Sequence, residues 1–191
     1  MSTINGSLSS LKYLPDDDNI RCKQRIKERL IQNRHLLQAL HSSRVSLEAP
    51  DEYIGTHIRF STLVPQLQEQ PEHFILVTTH VDSIPKSNEY RKYLHLQFLI
   101  LADARDLTDA ETGIDRHDLL AAILKNEFGW TNLFGTVCRI VSDTESALDL
   151  RYASRTLVYE LEMPRDLTKT RYYGNSFPLA EADRCMKTLR E

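Results

Sequence analysis

The sequence predicts an α+β domain in which a mainly antiparallel sheet of four to five strands carries two helices on one face. Two stretches repeat apolar residues at helical spacing, other stretches alternate with period two, and the order is helix, three strands, helix, two strands. A chain of 191 residues suits one core. We divide it into an N-terminal arm at 1–18, the α+β domain at 19–163 and a C-terminal extension at 164–191.

The composition is that of a folded globular chain, with 41% hydrophobic and 27% charged residues. A formal net charge of −3 argues against phosphate-dominated binding of nucleic acid. The 3 cysteines lie far apart without a C-x-x-C pair, so neither a disulfide framework nor a zinc site is indicated. No signal-peptide pattern and no run of about 18 apolar residues occurs, so we expect a soluble, intracellular protein with no membrane contact.

The first half of the chain is predicted to contain one long helix and two strands. A helix over 19–41 is indicated by apolar residues three, four and seven positions apart, namely Ile26, Leu30, Leu37 and Leu40. A linker at 42–56 follows, and apolar residues then alternate with polar ones from Ile58 to Val64. The apolar run that opens the strand at 74–81 indicates a strand covered on both faces.

A long hairpin with a projecting tip at 82–89 is predicted next. Its second strand, at 90–102, alternates, and one face carries Leu94, Leu96, Phe98 and Ile100. The acidic loop at 103–113 is interpreted as a solvated connection, because it lacks the glycine and terminal glutamate of a calcium loop.

The second half supplies a second helix and the last strand pair. Asp115 and Asp118 approximate a capping box for a helix at 115–128, whose buried stripe is Leu120, Ile123, Leu124 and Phe128. Strands at 137–141 and 153–163 are separated by a loop at 143–150. Pro164 is expected to end the sheet. A short terminal helix is suggested by Leu179, Ala182, Met186 and Leu189.

A search for reactive groups finds no catalytic or nucleotide-binding motif. His80, His95 and His117 could meet in space, but scattered histidines are more often solvated or satisfied in a core than metal ligands. The reactive-looking sequence Arg116-His117-Asp118 is explained by helix capping. We therefore predict no enzyme activity, no catalytic residue, no metal and no cofactor.

Two alternating stretches carry a resemblance to a known family. Tyr93-Leu94-His95-Leu96-Gln97-Phe98-Leu99-Ile100 and the strand Tyr152 to Glu162, with its closing Tyr159-Glu160-Leu161-Glu162, follow the same element order as the tail-terminator, or tail-completion, proteins of long-tailed bacteriophages. The chain resembles that family over about residues 19–163. It differs from the shorter members in its Ser-rich arm, its linker at 42–56 and its extension after Pro164.

The resemblance implies a structural virion protein located at the junction of tail and neck and assembled in the host cytoplasm. It implies a ring of identical subunits, typically a hexamer, that caps the tail tube and contacts the tube protein and the head-to-tail neck or adaptor proteins. DNA would pass through the central channel without sequence-specific binding. Two alternatives stay open: a head-completion or head-to-tail adaptor protein, and a small enzyme or ligand-binding α+β domain.

Interface residues are expected where the chain is too long for a simple connection yet lacks apolar periodicity. The hairpin tip, the arm at 1–15 and the tail at 165–191 meet this description, and the tail combines cationic and aromatic residues that interfaces favour. The candidate interface residues are Asp82, Pro85, Lys86, Asn88, Arg165, Lys169, Arg171, Tyr172 and Tyr173.

Overall fold

A computed structural model of the chain describes residues 18–66, 69–82, 91–132, 134–148 and 150–164. The arm at 1–15, most of the hairpin tip and the predicted terminal helix lie outside the described residues. The helices are α1 (Asp18–Gln32), α2 (Arg34–Ala39) and α3 (Arg116–Phe128). The strands are β1 (Ile58–Arg59), β2 (Phe74–Val81), β3 (Arg91–Asp103), β4 (Cys138–Leu148) and β5 (Tyr152–Pro164). Short 3-10 helices cover Pro50–Tyr53 and Ala104–Asp106.

Within the described residues the strands form one sheet in the order β1-β2-β3-β5-β4. β1 is parallel to β2, and the other neighbouring strands are antiparallel, which confirms the predicted α+β fold class. β3 lies at the centre and pairs along its whole length with β5, from Arg91↔Pro164 to Asp103↔Tyr152. Its alternating sequence gives one apolar face, and that face is the one covered by the helices.

The main core lies between the helices and this face of the sheet. Leu96, Phe98, Leu157 and Tyr159 are fully buried, as the alternation predicts. The ring of Phe98 lies 5.0 Å from Phe128 of α3 and 5.9 Å from Tyr159, measured between centroids. The core is completed by apolar stripes that include Ile26 and Leu30 of α1 and Leu120 and Leu124 of α3.

The opposite face of the sheet has a smaller apolar cluster at one end. Phe74, Leu76, Leu101 and Tyr152 are buried there, so the run that opens β2 is covered on both faces as predicted. Towards the other end of β2 and β3 this face carries Thr78, Gln97 and other polar side chains that are half-buried or exposed.

The predicted long helix is interrupted at Asn33. The backbone of Asn33 is extended (φ −85°, ψ 92°), and its side-chain oxygen accepts a hydrogen bond from the Leu36 N–H at 3.1 Å. Asparagine competes for backbone donors in this way and favours the N-cap position, so it ends α1 and starts α2. None of the described helices is long and apolar enough to cross a membrane.

The strand predicted from Ile58 to Val64 is shorter than its alternation suggests. Only Ile58 and Arg59 join the sheet, where they pair with Ile75 and Leu76 of β2. Leu63 and Val64 are exposed. A two-residue parallel strand has too few apolar positions to be read from sequence periodicity.

The prediction of a loop at 143–150 is wrong, because β4 continues as a strand to Leu148. β4 pairs with β5 up to Leu148↔Tyr152, and the register shifts between Ile140 and Ser142. A bulge at this point places one extra residue in β4. The polar residues that resemble a loop belong to an outer strand, whose side chains are not selected for burial.

Candidate assembly surface

The outer strand β4 presents a backbone edge without a neighbouring strand in the described chain. β4 pairs with β5 on one side only, whereas β1 at the opposite end of the sheet has just two residues. Because β1 stops opposite Leu76, β2 from Val77 to Val81 also has no strand on that side in the described chain. Unpaired edges are templates for pairing with another chain.

Charged side chains fix β4 to the domain without covering its edge. Asp143 accepts hydrogen bonds from Arg155 Nε of β5 at 2.7 Å and from Lys125 Nζ of α3 at 2.6 Å. The bond from Arg155 and then that from Lys125 lower the pKa of Asp143 to about 2, although partial burial opposes the shift. The carboxylate therefore stays charged and paired at neutral pH.

Three exposed apolar side chains lie at the beginning of β4. Trp130, Val137 and Val141 are exposed by 69%, 49% and 49%. Trp130 N–H donates to Cys138 O at 2.9 Å and Cys138 N–H to Thr131 O at 3.1 Å, so the tryptophan is held beside the first residue of the strand. Exposed tryptophan is a residue type that protein interfaces favour as an anchor.

The turn after α3 determines where Trp130 lies. A Cβ atom on Gly129 would be 2.4 Å from Lys125 O, so glycine is required at the helix end. Trp130 itself has φ 60°, in the left-handed region that bulky residues rarely adopt. A strained and exposed tryptophan is explained better by a contact outside the domain than by the stability of the domain.

Of the predicted interface residues, the structure describes Asp82 alone. Its carboxylate is exposed and lies 2.8 Å from His95 Nε2 and 3.7 Å from His80 Nε2. His80 and His95 do meet, as their sequence positions allowed. His117 lies elsewhere, with its Nε2 atom 3.3 Å from Glu145 Oε1. The other candidates lie outside the described residues: Pro85, Lys86, Asn88, Arg165, Lys169, Arg171, Tyr172 and Tyr173.

The acidic loop at 103–113 is not the solvated connection that its composition suggests. Arg116 of α3 is buried, and its guanidinium bonds to Asp109 Oδ1 at 3.0 Å and contacts Asp106 Oδ2 at 3.1 Å. Burial would raise the pKa of Asp106, but bonds from His41 and His73 and the charge of Arg116 lower it overall. The carboxylates therefore attach the loop to the helices.

A buried histidine adds a defined tautomer to this cluster. His73 Nδ1 accepts from the Asp103 N–H at 3.2 Å, so its Nε2 atom carries the proton and donates to Asp106 Oδ2 at 3.3 Å. Burial lowers the pKa of His73 to about 4. The imidazole is therefore neutral at neutral pH and serves as a fixed link between the segment just before β2 and the acidic loop.

The capping interpretation of Asp115 is wrong in its details. Asp115 is at the N-cap position of α3, but its side chain makes no capping hydrogen bond and accepts instead from Thr108 Oγ1 at 2.8 Å. Asp118 is bonded to Arg155. Both aspartates therefore have structural partners, although different ones from those of a capping box.

The sequence also matches a known family. The profile of the YomW family aligns with residues 12–161, which is most of the chain and all of the sheet except the last residues of β5. The chain belongs to the YomW family. This family is phage-derived, which indicates a phage-related protein. No curated protein matches the YomW-family chain significantly.

Sequence reasoning missed the exposed tryptophan of this YomW-family protein. Trp130 follows Gly129 at the end of a predicted helix, and the chain has 1 tryptophan. An isolated tryptophan outside the apolar periodicity of a helix is the signal that could have identified it.

Proposed function

We propose that this YomW-family protein is a structural virion component that forms a ring, caps the phage tail tube and joins it to the head-side neck proteins. The observation that carries the proposal is the outer edge of β4, which pairs with no other described strand and has exposed Trp130, Val137 and Val141 at its beginning. The phage-derived family and the resemblance to tail-terminator proteins supply the biological setting.

The two open strand edges differ, which favours a ring. β4 offers its outer edge on one side of the sheet, and β2 offers Val77–Val81 on the other. Contacts between two different surfaces are heterologous, and they form a closed ring when the rotation between subunits closes. A contact between the β4 edge of one subunit and the β2 segment of the next continues the sheet from subunit to subunit.

The mechanism in this proposal is geometric and needs no catalytic group. A closed ring on the end of the tube blocks addition of further tube subunits, and its other side offers a surface to the neck proteins. The channel lets DNA pass, and a net charge of −3 gives the subunit no excess of cations for binding phosphates. Six subunits are the number that the resemblance implies.

Disulfide trapping tests the proposed contact. Cysteine is placed at Thr144 of β4 and, in separate variants, at Thr78 or Thr79 of β2, in a Cys185→Ser background. β3 and β5 separate β2 from β4, a distance of about 14 Å at about 4.8 Å per strand. A disulfide needs Cα atoms about 4 to 7 Å apart, so any bridge joins two subunits. A ladder of cross-linked species ending at the ring size is expected after mild oxidation.

The single variant Thr144→Cys is the matched control. A heterologous contact leaves it without a partner cysteine, so it stays uncross-linked. Efficient dimer formation by this single variant would show that two β4 edges pair symmetrically, and such a twofold contact makes a dimer instead of a ring. Absence of cross-links in the double variants would contradict the edge contact itself.

A further inference from the structure

We propose that His80, Asp82 and His95 bind a zinc ion, with Glu160 as the fourth ligand. The site lies on the sheet face opposite the main core, where β2 ends and β3 begins. It does not depend on ring formation, because all four ligands come from one chain.

The strand register brings the ligands to neighbouring positions. His80 of β2 is paired with His95 of β3, which is paired with Glu160 of β5, so the three side chains point to the same face. Asp82 follows directly after β2. The two imidazole rings are nearly parallel, with centroids 4.9 Å apart and 11° between planes.

The distances are close to those of a coordination sphere. His95 Nε2 lies 2.8 Å from Asp82 Oδ2 and 4.0 Å from Glu160 Oε2, and His80 Nε2 lies 3.7 Å from Asp82 Oδ1. The ligand atoms of His80, Asp82 and His95 all lie within 4.8 Å of one another. Zinc bonds of about 2.0 to 2.2 Å place tetrahedral ligand atoms about 3.3 to 3.6 Å apart, so rotations of these side chains suffice.

The ring nitrogen of His95 supports the site independently. His95 Nε2 is buried and makes no hydrogen bond, although a carboxylate oxygen lies 2.8 Å away. The contact therefore lacks the angle of a hydrogen bond. A buried polar atom without a partner is unfavourable, and coordination to a cation would satisfy it together with the facing carboxylate.

The ligand set selects the class of metal. Two imidazoles with carboxylates suit zinc and related transition metals, whereas Mg²⁺ and Ca²⁺ prefer all-oxygen sites. Glu160 also has Arg139 of β4 as its cross-strand neighbour. We therefore expect the loss of Glu160 to weaken binding less than the loss of either histidine.

Two other clusters of histidine and carboxylate already have a cation. His41, His73 and Asp106 surround the guanidinium of Arg116, whose Nη2 atom lies 3.1 Å from His41 Nδ1. In the third cluster, of His117, Asp118 and Glu145, Asp118 is bonded to Arg155. A fixed guanidinium repels a metal ion, so these clusters are ion-paired links between elements.

A zinc ion here would join β2, β3 and β5 at the end of the sheet from which the tip at 82–89 departs. Asp82 was predicted as an interface residue from its position in that tip, and the metal site gives it a direct role. The ion would fix the point where the predicted contact element begins.

Zinc titration of the full-length, chelator-treated protein in the presence of a phosphine reductant tests the site. Calorimetry is expected to find one Zn²⁺ per chain. His80→Ala and His95→Ala should each weaken binding at least about 100-fold, because changing even the partners of metal ligands costs about 10- to 100-fold. Zinc at about 100 times Kd should raise Tm of the wild type by about 5 to 10 °C and leave that of both variants unchanged.

His35→Ala is the matched control, since His35 is an exposed histidine on α2. It should bind zinc like the wild type. Equal zinc affinity in His80→Ala, His95→Ala and wild type would overturn the proposal, and so would the absence of binding to the wild type. Ring size is measured in parallel, so that a failure of zinc binding can be distinguished from a failure of ring assembly.

Discussion

Among single residues, Phe98 has the clearest energetic role. It is fully buried at the centre of β3, between Phe128 of α3 and Tyr159 of β5. Its ring therefore links the second helix to the middle of the sheet. Aromatic pairs in this arrangement contribute beyond their buried area.

Phe98→Ala is expected to lower the free energy of unfolding by roughly 3 to 5 kcal/mol, since it leaves a cavity that the paired strands cannot close. Urea denaturation followed by circular dichroism measures the change. Leu150→Ala is the control, because Leu150 is 95% exposed and its truncation removes no core contact. A similar loss in both variants would contradict the assigned core.

A single buried residue, His73, makes the stability of the domain depend on pH. Burial lowers its pKa from 6.5 to about 4, so between these values the unfolded chain binds a proton that the folded chain does not. The contribution of His73 to the free energy of unfolding is therefore fully present above pH 6.5. It is lost as the pH is lowered to about 4, and the loss is roughly 3 kcal/mol at most. His57, whose pKa burial also lowers, acts in the same direction.

His73→Asn tests this assignment, since its side-chain oxygen can still accept from the Asp103 N–H but does not titrate. Urea denaturation at several pH values between 4 and 7 should give a shallower pH dependence for the variant. His35→Ala, which changes an exposed histidine, should keep the wild-type dependence. An unchanged slope in His73→Asn would assign the effect to other groups.

At the scale of elements, the turn between α3 and β4 allows the effects of a substitution on assembly and on stability to be measured separately. Trp130 is 69% exposed and has φ 60°, so it contributes little to the core and adopts a backbone conformation that favours glycine. In the proposed ring, stability and assembly therefore make opposite demands on this position.

Trp130→Gly is expected to keep or raise the stability of the single subunit, by about 1 kcal/mol from relief of the left-handed conformation. The same change should weaken subunit association at least about tenfold through loss of an aromatic anchor. Thermal unfolding measures the stability, and native mass spectrometry measures the subunit association. Loss of stability with unchanged association would place the tryptophan in the fold instead of the interface.

The elements that sequence could predict are those with a strong period. The alternation of β3 and β5 predicted their bounds and their buried face, because both strands have one side on the core. β4 was missed beyond Val141, since its polar side chains carry no alternation and its pairing depends on β5. The acidic loop was misjudged because Arg116, its partner, belongs to a helix and is brought there by the fold.

Sequence periodicity also did not reveal the break in the long helix or the contacts of the candidate sites. The apolar spacing continues across Asn33, so only the capping bond distinguishes one helix from two. His80 and His95 lie 15 positions apart in sequence and meet because their strands pair in that register. Such contacts depend on the strand register, and the register could not be read from the apolar pattern of a single sequence.

At the scale of the whole molecule, the extension at 164–191 is predicted to act in assembly. Removing residues 165–191 should leave the domain folded, because the helices and strands described above lie before it. Ring formation or particle assembly should then fail, since the extension carries cationic and aromatic residues that interfaces favour. Complementation of a phage lacking the gene tests this; unchanged infectivity would remove the extension from the interface.

We propose that this chain assembles by itself into a closed ring. Native mass spectrometry of the purified full-length protein measures the number of 22.1 kDa chains in the particle most directly. We expect one closed species, with six copies as the number that the resemblance implies, and its dissociation in Trp130→Gly. A single-chain species at every protein concentration, or a dimer held by two β4 edges, would contradict it.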